Sequence, residues 1–360
     1  MEKLRASNNE KEGTQVTYIA DEHLALLKPF QKATVEYVFR RLFTDPSPTD
    51  QFLVADEVGL GKTMVARGVI AKTIEQLQGK VDRVDIVYIC SNQAIAEQNI
   101  KSLNVVGSAT KPLNTRLTLL PLEIEKEGGI ASRPINLISL TPGTALDLKS
   151  SLGTAPERAL IFEMLRARIG LRHRGIQRVF RGGVSEENWR GWTTWIRGER
   201  ISQDIADKFN RVVDDKFIER LREAADLARR HKHPTYPDDQ RLAAMIGELR
   251  RMLAKICVDA LTPDLIILDE FQRFAELLHD HDDEVAPEKA AAAELARALF
   301  SYNGEDGSKA RLLLLSATPY RMLTLSSDAP EEGEHYDDFL RTMRFLFGDV
   351  EGPARVRELK

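Results

Sequence analysis

The chain has 360 residues, 42% hydrophobic and 29% charged, enough for one large domain or two ordinary ones with a substantial core. Its 51 Lys and Arg against 55 Asp and Glu give a formal charge of −4, which excludes gripping nucleic acid by bulk positive charge and leaves only local basic patches. Two cysteines, Cys90 and Cys257, exclude a disulfide framework and a paired-cysteine zinc spacing, and they suit a reducing, cytoplasmic setting. With no apolar run near the roughly 18 residues that span a bilayer, no membrane partner is expected.

In chain order, residues 1–15 lack periodicity and read as a flexible N-terminus. LALLKPFQKATVEYVFRRLF, 24–43, recurs at helical spacing with Pro29 near a helix start, and Pro46 and Pro48 end it. From Gln51 short apolar runs alternate with helical stretches. The runs are QFLVA, RVDIVYIC, TRLTLL and INLISL; the helices are 62–78 and 94–103. Strands alternating with helices predict an α/β domain built on a mainly parallel sheet. Over 147–261 the rhythm gives way to long helical patterns such as RALIFEMLRARIG, a helical insertion. It returns with LIILDE at 265–270, the helical AAAAELARALF, RLLLLSAT at 311–318 and a last helical stretch at 335–348.

FLVADEVGLGKTMVARGVI, 52–70, is an apolar strand, a glycine-bearing turn and then a helix opening at Lys62 and Thr63. In such a turn, backbone N–H groups and the helix N-terminus surround phosphates, a lysine sets positive charge on the terminal phosphates, and a threonine hydroxyl ligates Mg²⁺. Gly59 and Gly61 allow the backbone to curl without side chains in the way. The general pattern asks for glycine where Asp56 stands. LIILDE supplies the complement: an apolar strand ending in Asp269 and Glu270 brings two carboxylates to the ligand-binding edge of a parallel sheet. There Asp269 would hold Mg²⁺, and Glu270 would orient and deprotonate a water. RLLLLSAT adds a third strand end, carrying the Ser316 and Thr318 hydroxyls. The three together read as a phosphoryl-transfer site for ATP and Mg²⁺.

With these blocks in this order, the chain resembles the superfamily 2 helicases and translocases of the DEAD/DEAH-box type, and the Swi2/Snf2-like group in particular. LKPFQ looks like that group's adenine-reading segment, which implies Gln31 as the adenine contact. ADEVGLGKT resembles its motif I, in which an aspartate at the place of Asp56 is usual; the resemblance implies Asp56, Glu57, Gly59, Leu60, Gly61, Lys62 and Thr63 around ATP. YICSNQAIAEQN and ISLTPGTAL stand where the next two motifs fall, which implies that Ser91, Asn92 and Thr141 face a nucleic-acid backbone. LDEFQRF resembles motif II, with Gln272 at the position of the family's histidine, and LSATPYRM resembles motif III. By that likeness Gln272, Ser316 and Thr318 couple the ATP state to nucleic-acid contact.

The resemblance implies a RecA-like P-loop NTPase lobe with a parallel central sheet, in two parts at 16–146 and 262–350, interrupted by the insertion. Residues 351–360 would begin a linker toward a second RecA-like lobe, in a longer chain or on a partner subunit. The expected activity is ATP hydrolysis coupled to movement on, or remodelling of, single- or double-stranded DNA. RNA as the track and a non-hydrolysing ATP-binding, partner-docking module are the alternatives.

All three tryptophans fall in NWRGWTTWIRGER, within a stretch at 161–200 holding nine Arg against four Glu, a balance of +5. Two readings stand side by side. One is a nucleic-acid contact including Arg178 and Arg181; the other is an insertion core capped by tryptophan with solvated arginines. His231, His233, His279 and His281 lack the further ligands that a metal site needs and read as solvated loops.

Overall fold

In a computed structural model the described residues are 18–55, 59–107, 116–146, 152–170, 174–230, 236–271, 287–304, 307–316 and 345–347. Five strands form one sheet: β1 (Gln51–Ala55), β2 (Val84–Ile89), β3 (Ile135–Leu140), β4 (Leu265–Asp269) and β5 (Arg311–Ser316). All four pairings are parallel and the order is β1-β5-β4-β2-β3, so each connection must cross over a face. The central strands are near-continuous runs of Val, Ile and Leu because both faces are covered.

Alternate strand residues feed two separate cores, as the two-residue period of a strand requires. Val54, Ile86, Tyr88, Ile267, Leu313 and Leu315 face helices α2 (Pro29–Phe39), α3 (Lys62–Leu77) and α4 (Gln93–Leu103). Val87, Ile89, Ile138, Leu140, Ile266, Leu268, Leu312 and Leu314 belong to the opposite core. That core contains buried residues of α7 (Ala155–Ile169), α8 (Arg174–Arg181), α9 (Glu186–Gly198), α10 (Gln203–Val212), α11 (Asp215–Arg230), α12 (Tyr236–Leu261) and the helix Pro287–Phe300. The helical stretch between β3 and β4 thus shares one continuous core with the sheet and with the helix Pro287–Phe300. The short helices α1 (Asp21–Leu24), α5 (Leu120–Ile124) and α6 (Pro142–Ala145) lie in the connections of the first half of the chain.

One predicted strand is not formed. Leu117–Leu119 is a 3₁₀ turn leading into α5, where TRLTLL had the look of a strand. Pro121 cannot donate to a sheet ladder but suits the first turn of a helix, and the Thr118 hydroxyl donates instead to buried Glu157 at 2.7 Å. Of the expected helix at 335–348 only 345–347 are described, and they are helical. No helix among the described residues is long and apolar enough to cross a membrane.

The helical layer is pinned by buried charge. Arg250, fully buried, donates from Nε and Nη2 to Glu157 Oε1 at 3.1 and 2.8 Å. The other carboxylate oxygen accepts from Thr154 N and Oγ1 at 2.6 and 2.8 Å, which makes Thr154 and Glu157 the capping box of α7. Next to it Arg158 donates to the carbonyls of Phe180 and Arg181 at 2.6 and 3.1 Å, closing the end of α8.

The three tryptophans of the 161–200 stretch differ in burial. At 100° per residue, tryptophans three apart drift steadily around the helix. Trp189 is buried edge-on against Phe162, whereas Trp192 and Trp195 are exposed and meet each other edge to face at 5.7 Å. Several of the arginines are committed within the layer: Arg166 and Arg197 to Glu163, Arg181 and Arg190 to Glu186, and Arg168 to Asp215.

Candidate nucleotide site

β1 leads through the glycine turn directly into α3. Gly61, the residue before the helix, is left-handed with φ 82° and ψ 43°, and as a glycine it offers no side chain to cap the first turn. Uncapped N–H groups at a helix start form an anion-binding end, reinforced by the helix dipole. Lys62 and Thr63 are the first two residues of α3, both half-buried.

Gln31 fastens this turn from α2. It sits three residues beyond the N-cap Lys28, whose backbone N–H donates to its Oε1 at 3.0 Å, while its Nε2 donates to the Leu60 carbonyl at 3.0 Å. Both ends of its amide are therefore engaged. An adenine contact, which the family resemblance implies, would exchange one of these bonds. The approach is close because Gly68 of α3 packs on Val35 of α2, where a Cβ would lie 2.6 Å from Val35 Cγ2.

A Cβ on Gly61 would lie 2.4 Å from Gln31 Nε2. Gly61→Ala is expected to pay twice, through a left-handed backbone worth about 1–2 kcal/mol and through loss of the Gln31–Leu60 bond. Thermal unfolding should show a lowered Tm; a Tm equal to the parent's would contradict this account of the turn.

The sheet brings the second half to the same edge. Ala55, the last residue of β1, pairs with Ser316, the last residue of β5, and Asp269, the last of β4, pairs with Leu315. With strands about 4.8 Å apart, β1 and β4 stand about 10 Å apart across β5. The chain leaves β1 for α3 on one face. It leaves β4 for Phe271, which is buried in the core on the other. Exits that diverge to opposite faces leave a crevice at the carboxyl edge, where open α/β sheets bind ligands.

Asp269 Oδ2 accepts from the Tyr88 hydroxyl at 2.5 Å and from Asn99 Nδ2 at 3.2 Å, and the same Asn99 nitrogen lies 2.9 Å from the Tyr88 oxygen. Burial, and then the neighbouring Asp269, push the Tyr88 phenol well above its ordinary pKa, so it remains a donor. Glu270 follows with φ 53°, a left-handed conformation that is uncommon for a residue other than glycine. Such conformations persist only where the surroundings fix them, and they cluster at functional sites. Here buried Phe271 on one side and strand β4 on the other hold the turn.

Among the described residues no group of three or more His, Cys, Asp or Glu forms a metal cluster. The Thr63 hydroxyl and the Asp269 carboxylate are hard oxygen donors of the type that takes Mg²⁺ together with phosphate oxygens and water. A carboxylate already aimed by two donors on one oxygen suits that use.

Ser91 and Asn92 follow β2, and Thr141 follows β3, its parallel neighbour, so these residues share one stretch of the carboxyl edge. Asn92 caps α4, its Oδ1 accepting from Ala94 N at 2.8 Å and Ile95 N at 3.3 Å. Arg178 and Arg181 lie apart from them in sequence and element, on α8, which packs with α7 and α11. Ser316 is buried at the end of β5. Asp56, Glu57, Gln272, Thr318 and His231, His233, His279 and His281 lie outside the described residues.

The Tyr88–Asn99 clasp on Asp269 and the Gln31–Leu60 bond have no sequence signature. No protein family, curated protein or solved structure matches this chain.

Proposed function

We propose that the chain is the nucleotide-binding lobe of a nucleic-acid-dependent ATPase of helicase or translocase type, a RecA-like lobe that hydrolyses ATP with Mg²⁺. The observation that carries the reading is the pairing of a left-handed glycine turn and helix start after β1 with the clasped Asp269 and left-handed Glu270 after β4, on one edge of one parallel sheet. A turn of backbone N–H groups with a lysine recognises a polyphosphate, and a carboxylate pair opposite it serves a divalent cation and an attacking water. The Mg²⁺–nucleotide complex, when bound, supplies the reactive phosphoryl group and neutralises its charge.

In this reading Lys62 sets charge on the terminal phosphates, Thr63 and Asp269 hold Mg²⁺, and Glu270 takes the proton of the attacking water. Single- or double-stranded DNA is the proposed track, met along the edge of Ser91, Asn92 and Thr141. A second RecA-like lobe, in the same chain or on a partner, would close over the nucleotide. The buried tryptophan and the ion-paired arginines favour a packing role for much of the 161–200 stretch.

Binding of a fluorescent ATP analogue tests the reading. The parent chain is expected to bind it in the presence of Mg²⁺, and Lys62→Ala to weaken binding by about tenfold or more, the equivalent of 1.4 kcal/mol. Equal binding by both proteins would contradict the assignment of the turn.

A further inference from the structure

We infer that Tyr88 and Asn99 are positioning residues that aim the Asp269 carboxylate and tie it to helix α4; this rests on the nucleotide-site reading above. Tyr88 is on β2, next to β4, and is paired in register with Ile267, two residues before Asp269. Residues 265, 267 and 269 of β4 alternate toward the face that carries α3 and α4, the face on which Tyr88 is also buried. The tyrosine ring therefore runs beside β4 and its hydroxyl arrives level with the carboxylate. Asn99 comes from the other direction, on α4, and its single amide nitrogen serves both the Tyr88 oxygen and Asp269 Oδ2.

The three groups close a triangle of 2.5, 2.9 and 3.2 Å in which both donors converge on the same carboxylate oxygen. Neither bond uses Oδ1, so the clasp fixes the carboxylate's rotation while leaving that oxygen outside it. Tyr88 is 1% exposed, so water does not readily replace its hydroxyl if that is removed. Hydrogen bonds of this kind to a ligating group commonly govern metal affinity as much as orientation does. Asn99 adds a mechanical link. α4 begins at Gln93, capped by Asn92 three residues after the end of β2 at Ile89, so a contact that shifts its first turn moves the donor that holds Asp269.

The test is Mg²⁺ titration of ATP-analogue binding by the parent chain, Tyr88→Phe and Asn99→Leu, with Ile100→Ala as a packing control. Ile100 is buried in the same helix and takes no part in the triangle. Tyr88→Phe and Asn99→Leu are each expected to raise the Mg²⁺ concentration for half-maximal tightening by about tenfold while leaving metal-free nucleotide binding unchanged. Ile100→Ala is expected to lower the Tm and leave the Mg²⁺ dependence at the parent value. If Tyr88→Phe does not fold, Asn99→Leu, at a half-buried helix position, carries the test.

Parent-like Mg²⁺ dependence in both clasp variants would overturn the inference while leaving the nucleotide site standing. Absence of any Mg²⁺-dependent binding in the parent would instead remove the site reading, and the inference with it.

Discussion

Glu270→Gln is expected to bind Mg²⁺–ATP as tightly as the parent and to lose hydrolysis by about 10²–10⁴-fold, the usual contribution of a positioned general base. The substitution keeps the size of the side chain and its capacity to accept a hydrogen bond while removing a base. The backbone that presents it is flanked by β4 before it and by buried Phe271 after it, so φ 53° at this residue should survive the change. Nucleotide binding and phosphate release, measured on the same preparation, separate the two effects. Turnover at the parent rate would contradict the role assigned to Glu270.

Arg250→Ala is expected to cost about 3–5 kcal/mol, because it leaves the Glu157 carboxylate buried without its cation. Glu157 is fully buried, and although Arg116 Nε lies 3.5 Å from Oε2, the closest cationic contacts are those of Arg250. In a chain of 360 residues that loss corresponds to a Tm lower by about 4–7 °C. Replacing both partners with apolar residues of similar volume should recover part of it, since the pair's own desolvation disappears too. A Tm within about 2 °C of the parent for Arg250→Ala would contradict this account.

The same pair sets a pH dependence. Burial raises the Glu157 pKa, but Arg250, Thr154 and Thr118 outweigh it and hold the carboxyl below its ordinary range. A pKa lowered by folding contributes stability above the unfolded value, about 4.3, and that stability is lost as the pH falls through the folded value. The parent should therefore keep this contribution from neutral pH to about pH 5 and lose it only in more acid solution. In Arg250→Ala, Glu157 keeps the burial that raises its pKa without the cation that lowers it, and the variant should regain stability as the carboxyl protonates, so the Tm difference narrows as the pH falls.

Local structure was legible where one segment carries the whole signal. QFLVA followed by glycine and GKT gives strand, turn and helix start within thirteen residues, and β4, β5, α3 and α4 fall close to where periodicity sets them. The run at 115–120 misleads because a short apolar segment is strand-like or helix-like by pattern alone. Its partners decide: Thr118 reaches Glu157, and Pro121 favours a helix start. The clasp on Asp269 was not legible because its members are 181 and 170 residues apart, and the Glu157–Arg250 pair spans 93. Only the parallel crossovers bring such residues together. The stretch between β3 and β4 read as an insertion because its helices carry no strand signal. Its apolar residues share one core with Ile266, Leu268, Leu312 and Leu314 of the sheet and with the helix Pro287–Phe300. The tryptophan spacing places one ring inward and two outward, a division that spacing alone does not announce.

Mg²⁺-dependent ATP hydrolysis by the chain, alone and with single-stranded DNA, duplex DNA or RNA, with Lys62→Ala as the blank, tests the central claim most directly. The account predicts hydrolysis that depends on Lys62 and rises when DNA is added. A chain that neither binds nor hydrolyses ATP with Mg²⁺ under any of these conditions, or whose activity is the same in Lys62→Ala, would contradict it.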